Sequence, residues 1–301
     1  MNPKIKKFFI IIFDVVHYPL KPAWVQRLLR TIGFRFPYLH FAEKLNYQGV
    51  VDFSINGQEI KLQSHNNFIE IYIFWYGIFG VWEPTQLRLW SQLIKEADVI
   101  LDVGANIGVY TLIAATNKEA EVLAFEPVPK VREMLEENIT LNDFGNIIVS
   151  GKLVGEKIGQ ETLYIPRSGW VDVASVNKEF SRKFSKPDEA TELVCEMVTI
   201  DEVVASHNLN VNTKILCKID VEGAEDRVFV GMQETMKKYN ISFTAELLDE
   251  ETFSNFIKLL SDTYYVYAID EREKRVYQSQ HFVNTASNYF FTKQKSDYLN
   301  L

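Results

Sequence analysis

The chain has 301 residues, of which 47% are hydrophobic and 24% charged, a composition that excludes wholesale disorder and a fibrous repeat. Lys and Arg number 32 against 40 Asp and Glu, giving a formal net charge of −8. Gripping nucleic acid through its phosphates needs clustered cations, so no nucleic-acid partner is expected. The charge is uneven: residues 1–30 hold Lys4, Lys6, Lys7, Lys21, Arg27 and Arg30 against Asp14 alone. That is +5 locally and −13 for the remainder. Two cysteines, Cys195 and Cys217, and five scattered histidines suggest neither a disulfide scaffold nor a metal-ligand spacing, so no metal is assigned.

In chain order, Lys4, Lys6 and Lys7 precede the apolar run FFIIIF at 8–13, which Asp14 interrupts. The run is too short for a membrane span and lacks a signal-peptide cleavage pattern. With the following KPAWVQRLLRTIGFRFPYL it reads as an amphipathic helical segment. Such a segment packs on the main domain or lies peripherally on an anionic inner-membrane surface. The expected compartment is the cytoplasm. Residues 45–73 alternate in strand fashion, and Asn56-Gly57 between two β-rich runs marks a hairpin. GVWEPTQLRLWSQLIKEA then reads as a helix.

From residue 98 strands and helices alternate. VILDV (99–103), EVLAFEP (121–127), NIIVS (146–150), KILCKIDVE (214–222) and ISFTAEL (241–247) are the expected strands, with helical patterns after most of them. A β-like GQETLYIP and a polar, loop-like stretch from Arg167 to about Glu192 separate the third from the fourth. YYVYAID and NYFFTK close the chain as a hairpin at one sheet edge. Such alternation predicts an α/β fold with a mostly parallel sheet covered on both faces. The expected organisation is an extension over 1–82, one main domain over 83–294 and a tail over 295–301.

Ligands of open parallel sheets sit beyond the carboxyl ends of the strands. Asp102, Glu126, Asp220 and Glu246 fall at four such ends. The turn DVGANIG (102–108) has Gly104 and Gly108 for close backbone approach but lacks the middle glycine of the dinucleotide fingerprint. An acid before the turn and no pyrophosphate glycine favour a cationic ligand without phosphates, as S-adenosylmethionine is. Glu126, 22 residues after Gly104, stands where a carboxylate accepts from ribose hydroxyls, in S-adenosylmethionine and NAD sites alike.

DVGANIGVYTLIAA, AFEPVPKVREMLEENITLN, VTIDEVV and KIDVEGAEDRVFVGM, in this order, resemble the FkbM family of S-adenosylmethionine-dependent methyltransferases over residues 83–247. The resemblance implies a class I methyltransferase, Rossmann-like sheet of seven strands in the order 3-2-1-4-5-7-6, the seventh antiparallel. It also implies methyl transfer, commonly to a hydroxyl of a sugar, glycolipid or polyketide-type product. The cofactor residues are then Asp102, Gly104, Asn106, Gly108, Glu126 and Asp220.

A hydroxyl acceptor must lose its proton as it attacks, and a positioned carboxylate can take it. Asp220, Glu222 and Glu246 are the catalytic candidates: Asp220 toward the methionyl ammonium, Glu222 as general base, Glu246 holding the acceptor or sharing a divalent ion with the other two. Asp220 and Glu222, two apart on an extended segment, share a face, and their like charges raise one pKa. Glu225 and Asp226 read as first-turn helix acids. Glu83, Trp170 and Ser175 are the substrate candidates, the first two with structural alternatives as a helix N-terminal acid and a loop anchor; Asn138 and Asn142 read as helix caps. Two other readings remain at this level: an NAD-dependent oxidoreductase, and a non-catalytic nucleoside-binding or membrane-adaptor protein.

Overall fold

Residues of the central strands alternate between two unlike neighbourhoods. Val99, Leu101 and Val103, Leu123 and Phe125, Ile215, Cys217 and Ile219, and Ile241, Phe243 and Ala245 are buried in one large apolar core. The residues between them, Asp102, Lys218 and Thr244 among them, are buried on the other face. This period-two pattern with both faces covered is what a mostly parallel, helix-sandwiched sheet requires. The computed structural model describes residues 18–36, 39–65, 67–166, 174–177 and 190–295. The apolar run at 8–13, Trp170 and most of the stretch read as a loop between 167 and 192 lie outside the described residues.

The chain forms two compact units, Met1–Leu87 and Arg88–Leu301. In the first, α1 (Ala23–Thr31) and α2 (Leu39–Leu45) precede the antiparallel pair β1 (Val50–Ile55) and β2 (Gln58–Gln63), then α3 (Phe68–Tyr76). Ile55 lies opposite Gln58, so Asn56 and Gly57, both at positive φ, are the whole turn, as the sequence predicted. Asn67 caps α3 by accepting from the Ile69 N–H at 3.0 Å, and Glu70 accepts from the Asn67 N–H in return. Helix α4 (Pro84–Leu93) spans the division between the units.

The second unit continues through β3 (Val99–Val103), α5 (Val109–Ala114), β4 (Glu121–Phe125), α6 (Pro129–Thr140), β5 (Ile147–Ser150), β6 (Leu153–Val154), β7 (Gly159–Pro166) and β8 (Ala190–Val198). It ends with α7 (Ile200–Ser206), β9 (Lys214–Ile219), α8 (Glu225–Val230), α9 (Gln233–Lys238), β10 (Asn240–Glu246), α10 (Glu250–Leu259), β11 (Tyr265–Asp270), β12 (Arg275–Gln278) and β13 (Asn288–Thr292). The main sheet runs β12-β11-β13-β10-β9-β3-β4-β5. Without β12 this is the expected order 3-2-1-4-5-7-6, and β13 is antiparallel to both neighbours. This is a class I methyltransferase fold.

The terminal pair β11 and β13 lies toward one end of the sheet as expected, with β13 between β10 and β11, where its five residues are all buried. Two features differ from expectation. The sheet has an eighth strand, because β12 folds back on β11 across the turn 271–274. Part of the expected loop is strand, since β8 pairs with β7 and β6 in a separate three-stranded sheet. Its burial is irregular along the strand, which weakens the alternation that reveals strands in a sequence. Among the described residues no helix is long and apolar enough to cross a membrane.

Phe243 is at the centre of the large core, fully buried, stacked on Phe291 at 4.7 Å and within ring contact of Phe229, Phe256 and Tyr264. Phe243→Ala is expected to lower the unfolding free energy by about 3–5 kcal/mol in urea titrations. A loss under about 1 kcal/mol would show that the stack does not hold the sheet's antiparallel end.

Candidate active site

The crevice forms where β3, β4 and β9 end. Gly104 leaves β3 with φ +81°, and a Cβ there would lie 1.8 Å from the Asp220 carbonyl oxygen. Only glycine permits this approach. The turn is tied to its neighbour by the Gly104 and Ala105 N–H groups, which donate to the Phe125 carbonyl at 3.0 and 2.9 Å. Asn106, also at positive φ, accepts from the Ile107 N–H through its own side chain at 2.7 Å, which supports the left-handed turn. Gly108 starts α5 at φ +93°, where a Cβ would meet Leu135 of α6. Asn138 is no cap: it is fully buried and its amide donates to the Ile107 carbonyl at 2.8 Å, fastening α6 to the turn. Asn142 donates to the Asn138 carbonyl at 2.6 Å.

Glu126 follows β4 directly. One carboxylate oxygen accepts from the Val128 N–H at 2.9 Å, the other from the Asn106 N–H at 3.0 Å. Each oxygen keeps acceptor capacity for a ligand hydroxyl. Burial raises its pKa to about 7 against these backbone bonds. Beside it the cleft is lined by Pro127, Val128, Val131, Leu153, Val154 and Leu163, an apolar wall that sequence reasoning did not assign. Gly104, Asn106, Lys152, Asp220 and Glu222 complete much of the polar and backbone lining, and the cleft encloses about 680 Å³ including open solvent.

Asp220 follows β9 and its carboxylate accepts from the Lys218 ammonium at 2.9 Å. Lys218 is buried, with its ammonium 4.7 Å from the centre of the Tyr110 ring. Sequence reasoning did not single it out: KILCKID reads as an apolar, buried strand, which does not say what balances the charge of its lysine. Asp102 lies in register with Lys218, one row deeper than the other strand-end acids, and is absent from the cleft lining. It is fully buried, accepts from the Thr111 hydroxyl at 2.5 Å, and has its pKa raised by burial, with Lys218 opposing.

Glu222 and Asp220 both line the cleft but do not share an extended face, because β9 stops at Ile219 and Glu222 turns at φ +57°. The Lys218 ammonium beside Asp220 also replaces the expected bare pair of like charges with a charge-balanced group. Ser175 holds Glu222 in place: its hydroxyl donates to the Glu222 carbonyl at 2.6 Å, and its backbone bridges to Tyr164 of β7. Glu225 is more than a helix acid, since its buried carboxylate accepts from the Val221 and Gly223 N–H groups at 3.1 and 3.2 Å and braces the same loop. Arg227 clamps α8 to Glu156 and to Glu161 of β7 at 2.5 and 2.6 Å.

Glu246 ends β10 and is not part of the cleft lining. Among the described residues no three His, Cys, Asp or Glu side chains converge as metal ligands, so the sharing of an ion by Asp220, Glu222 and Glu246 finds no geometric support. Glu83 belongs to the first unit, at φ +44°.

Fold and cleft define a class: an α/β protein with a crevice at the switch point of its parallel sheet, lined by a buried carboxylate that keeps acceptor capacity. The methyltransferase FkbM domain matches residues 102–276, more than half of the chain. The chain belongs to that family, whose methyl donor is S-adenosylmethionine. It is 29% identical over 160 residues to hexuronic acid methyltransferase AglP of Haloferax volcanii, covering 52% of this chain and 59% of that one. It is 26% identical over 162 residues to 31-O-demethyl-FK506 methyltransferase FkbM of Streptomyces tacrolimicus, covering 47% and 62%. A tRNA (guanine(37)-N(1))-methyltransferase of Puccinia graminis f. sp. tritici is 36% identical over 89 residues, 29% of this chain and 17% of its own. The matches thus span about three-fifths or less of each relative. A solved S-adenosylmethionine-dependent methyltransferase of Agrobacterium tumefaciens shares 12% identity at a TM-score of 0.42, over 82% of this chain and 70% of that one.

The residues present suit S-adenosylmethionine. Glu126 has free acceptor capacity, the apolar wall suits an adenine, and Asp220 offers an anion to an ammonium.

Two predictions follow from the electrostatics. Glu126 and Glu225 both have pKa values raised to about 7 by burial, so the folded chain holds more protons than the unfolded chain between about pH 4.5 and 7. Stability therefore falls as pH rises through that window. Glu156 and Glu161, held below their ordinary range chiefly by Arg227, lose their contribution only at lower pH, so the two effects separate. Thermal melts without ligand are expected to show a lower Tm at pH 8 than at pH 5, with the difference reduced in Glu225→Gln. In Lys218→Met, Asp102 and Asp220 lose their cation, at a cost of about 3–5 kcal/mol at neutral pH. An unchanged denaturation midpoint would mean that Lys218 does not balance them.

Proposed function

We propose that this chain is an S-adenosylmethionine-dependent methyltransferase that methylates a hydroxyl of a sugar, glycolipid or related natural product. The observation that carries the reading is the buried Glu126 carboxylate, held by two backbone N–H groups, with acceptor capacity left in a cleft that it lines with Gly104 and Asp220. Support for the acceptor class comes from the two relatives named for a hexuronic acid and for 31-O-demethyl-FK506. The excess of acid beyond residue 30 argues against a nucleic-acid acceptor, whatever the tRNA enzyme does with its own domain.

S-adenosylmethionine, when bound, supplies a methyl group on a cationic sulfur. In this reading Glu126 accepts from the two ribose hydroxyls, and Val128, Val131 and Leu153 flank the adenine. Gly104, Asn106 and Gly108 shape the turn that borders the donor. Asp220, pinned by Lys218, faces the ammonium, so the donor is fixed at several points and the displacement becomes effectively intramolecular. Glu222 takes the acceptor's proton, its backbone held by Ser175 and by the loop that Glu225 braces. Asp102 serves from behind, as the deeper partner in the charge balance of Lys218. Glu246, Glu83 and Trp170 stay assigned to the acceptor side on the sequence alone. The main domain of this reading is residues 83–294, and its setting is the cytoplasm, with the basic segment 1–30 at the inner membrane surface.

Two measurements test it. Ribose hydroxyls favour the ionised form of Glu126, so affinity for S-adenosylmethionine in calorimetry is expected to rise about tenfold from pH 6 to pH 8, and Glu126→Gln to bind more weakly with a flatter profile. NAD binding as tight as S-adenosylmethionine binding would overturn the assignment. Labelled methyl transfer into glycan and glycolipid fractions is expected to need Glu222, and transfer undiminished in Glu222→Gln would remove it as the base.

A further inference from the structure

Helix α1 is turned inside out. An amphipathic helix of a globular unit normally buries its apolar stripe and exposes its polar side. Here Trp24, Leu28 and Ile32, spaced four apart and so stacked on one side, are 70, 55 and 70% exposed. Phe34, just past the helix, is 41% exposed. The residue on the opposite side, Gln26, is fully buried, and its amide donates to the Lys21 and Leu45 carbonyls at 2.8 and 3.3 Å. Arg30 also turns inward, 3.3 Å from Asp52 and over the Phe74 ring at 5.0 Å. Polar groups thus anchor the helix while apolar groups face out.

The arrangement is held, not frayed. The Phe34 N–H donates to the Leu29 carbonyl at 2.9 Å as the chain turns at Gly33, and Phe36 is buried edge-on against Trp75 at 4.7 Å. Trp24 and Phe34 are the only exposed Trp or Phe among the described residues. A grouped apolar surface with two aromatics marks a contact site rather than ordinary scatter.

The charge around it selects the partner. Every charged residue between 18 and 36 is a cation: Lys21, Arg27, Arg30 and Arg35. Lys21, Arg27 and Arg35 are exposed, and Arg27 and Arg30 both pair with Asp52. An apolar stripe with a Trp, rimmed by exposed cations, matches an anionic bilayer, where rings enter the headgroup boundary and cations meet lipid phosphates. A second copy of this chain would bring the same positive charge against itself.

We infer that the Trp24–Leu28–Ile32–Phe34 face of α1 docks this protein on anionic phospholipid membrane as a peripheral, non-spanning contact. This surface rests on the membrane placement proposed above and not on methyl transfer.

The test uses the full chain in co-sedimentation with phosphatidylcholine vesicles, with and without about a third phosphatidylglycerol. The wild type is expected to sediment with the anionic vesicles only, and less at high salt. The triple variant Trp24→Ser, Leu28→Ser, Ile32→Ser is expected to partition at least tenfold less, and so is Lys21→Glu with Arg35→Glu. Both sets alter exposed side chains; circular dichroism and S-adenosylmethionine affinity, measured on the same samples, are expected to match wild type. Equal sedimentation of the triple variant and wild type would overturn the inference, as would no sedimentation of the wild type. Self-association of the wild type in sedimentation velocity, abolished in the triple variant with no vesicle binding, would assign the face to a second copy instead. Unchanged S-adenosylmethionine affinity in a non-binding chain would leave the methyltransferase reading intact while removing this one.

Discussion

The ends of β3 and β9 run so close that the Gly104 position has no room for a side chain against the Asp220 carbonyl. That approach makes two loops into one wall. The Asp220 N–H also donates to the Val103 carbonyl at 3.0 Å, so the contact continues the parallel ladder one step past the strands. On one side of it stands the Glu126 carboxylate, fixed by the turn that Gly104 begins; on the other stands the loop that carries Glu222. The cleft is a property of this junction, and its geometry is backbone geometry before it is side-chain chemistry.

Beneath the junction lies a buried charge group. Lys218 satisfies Asp220 at the cleft and sits in register with Asp102 in the row below, under the ring of Tyr110. An ammonium so deep would be very unfavourable alone, and so would either carboxylate. Together they hold Asp220 as an oriented anion at the mouth of β9. The network gives the apolar interior a reason to tolerate a charged row on one face of the sheet while the other face is filled with Phe243, Phe256 and Phe291.

Much of the fold was legible because its elements announce themselves locally. The Asn56-Gly57 turn and the central strands of the main sheet follow from turn chemistry and from unbroken apolar runs. The strand order came from the resemblance, not from periodicity. The strands that were missed, β6, β8 and β12, owe their state to a partner: β6 to β8, β8 also to β7, and β12 to β11. The site was legible to a similar depth. Glu126, Gly104, Asp220 and Glu222 could be placed at the ends of strands by counting. Counting could not place Asp102 a row too deep to line the cleft, or Lys218 behind Asp220. It also could not show that Ser175 spends its hydroxyl on the Glu222 carbonyl rather than facing the cleft as a free donor.

By itself, the sequence determined the alternation of strands and helices, the glycine turn and the chemical types at the strand ends, since each depends on neighbours a few residues away. Only the tertiary structure decided which acids face solvent and which face a lysine, because burial and charge pairing are set by residues far apart in the chain. Asp98 accepting from the Lys214 N–H at 2.8 Å and Ser175 reaching Glu222 are two such links. The same holds for α1: its pattern fixes an apolar stripe, but only the folded surroundings turn Gln26 inward and leave Trp24 outside. An amphipathic pattern has two faces, and the sequence does not say which one the protein keeps for itself.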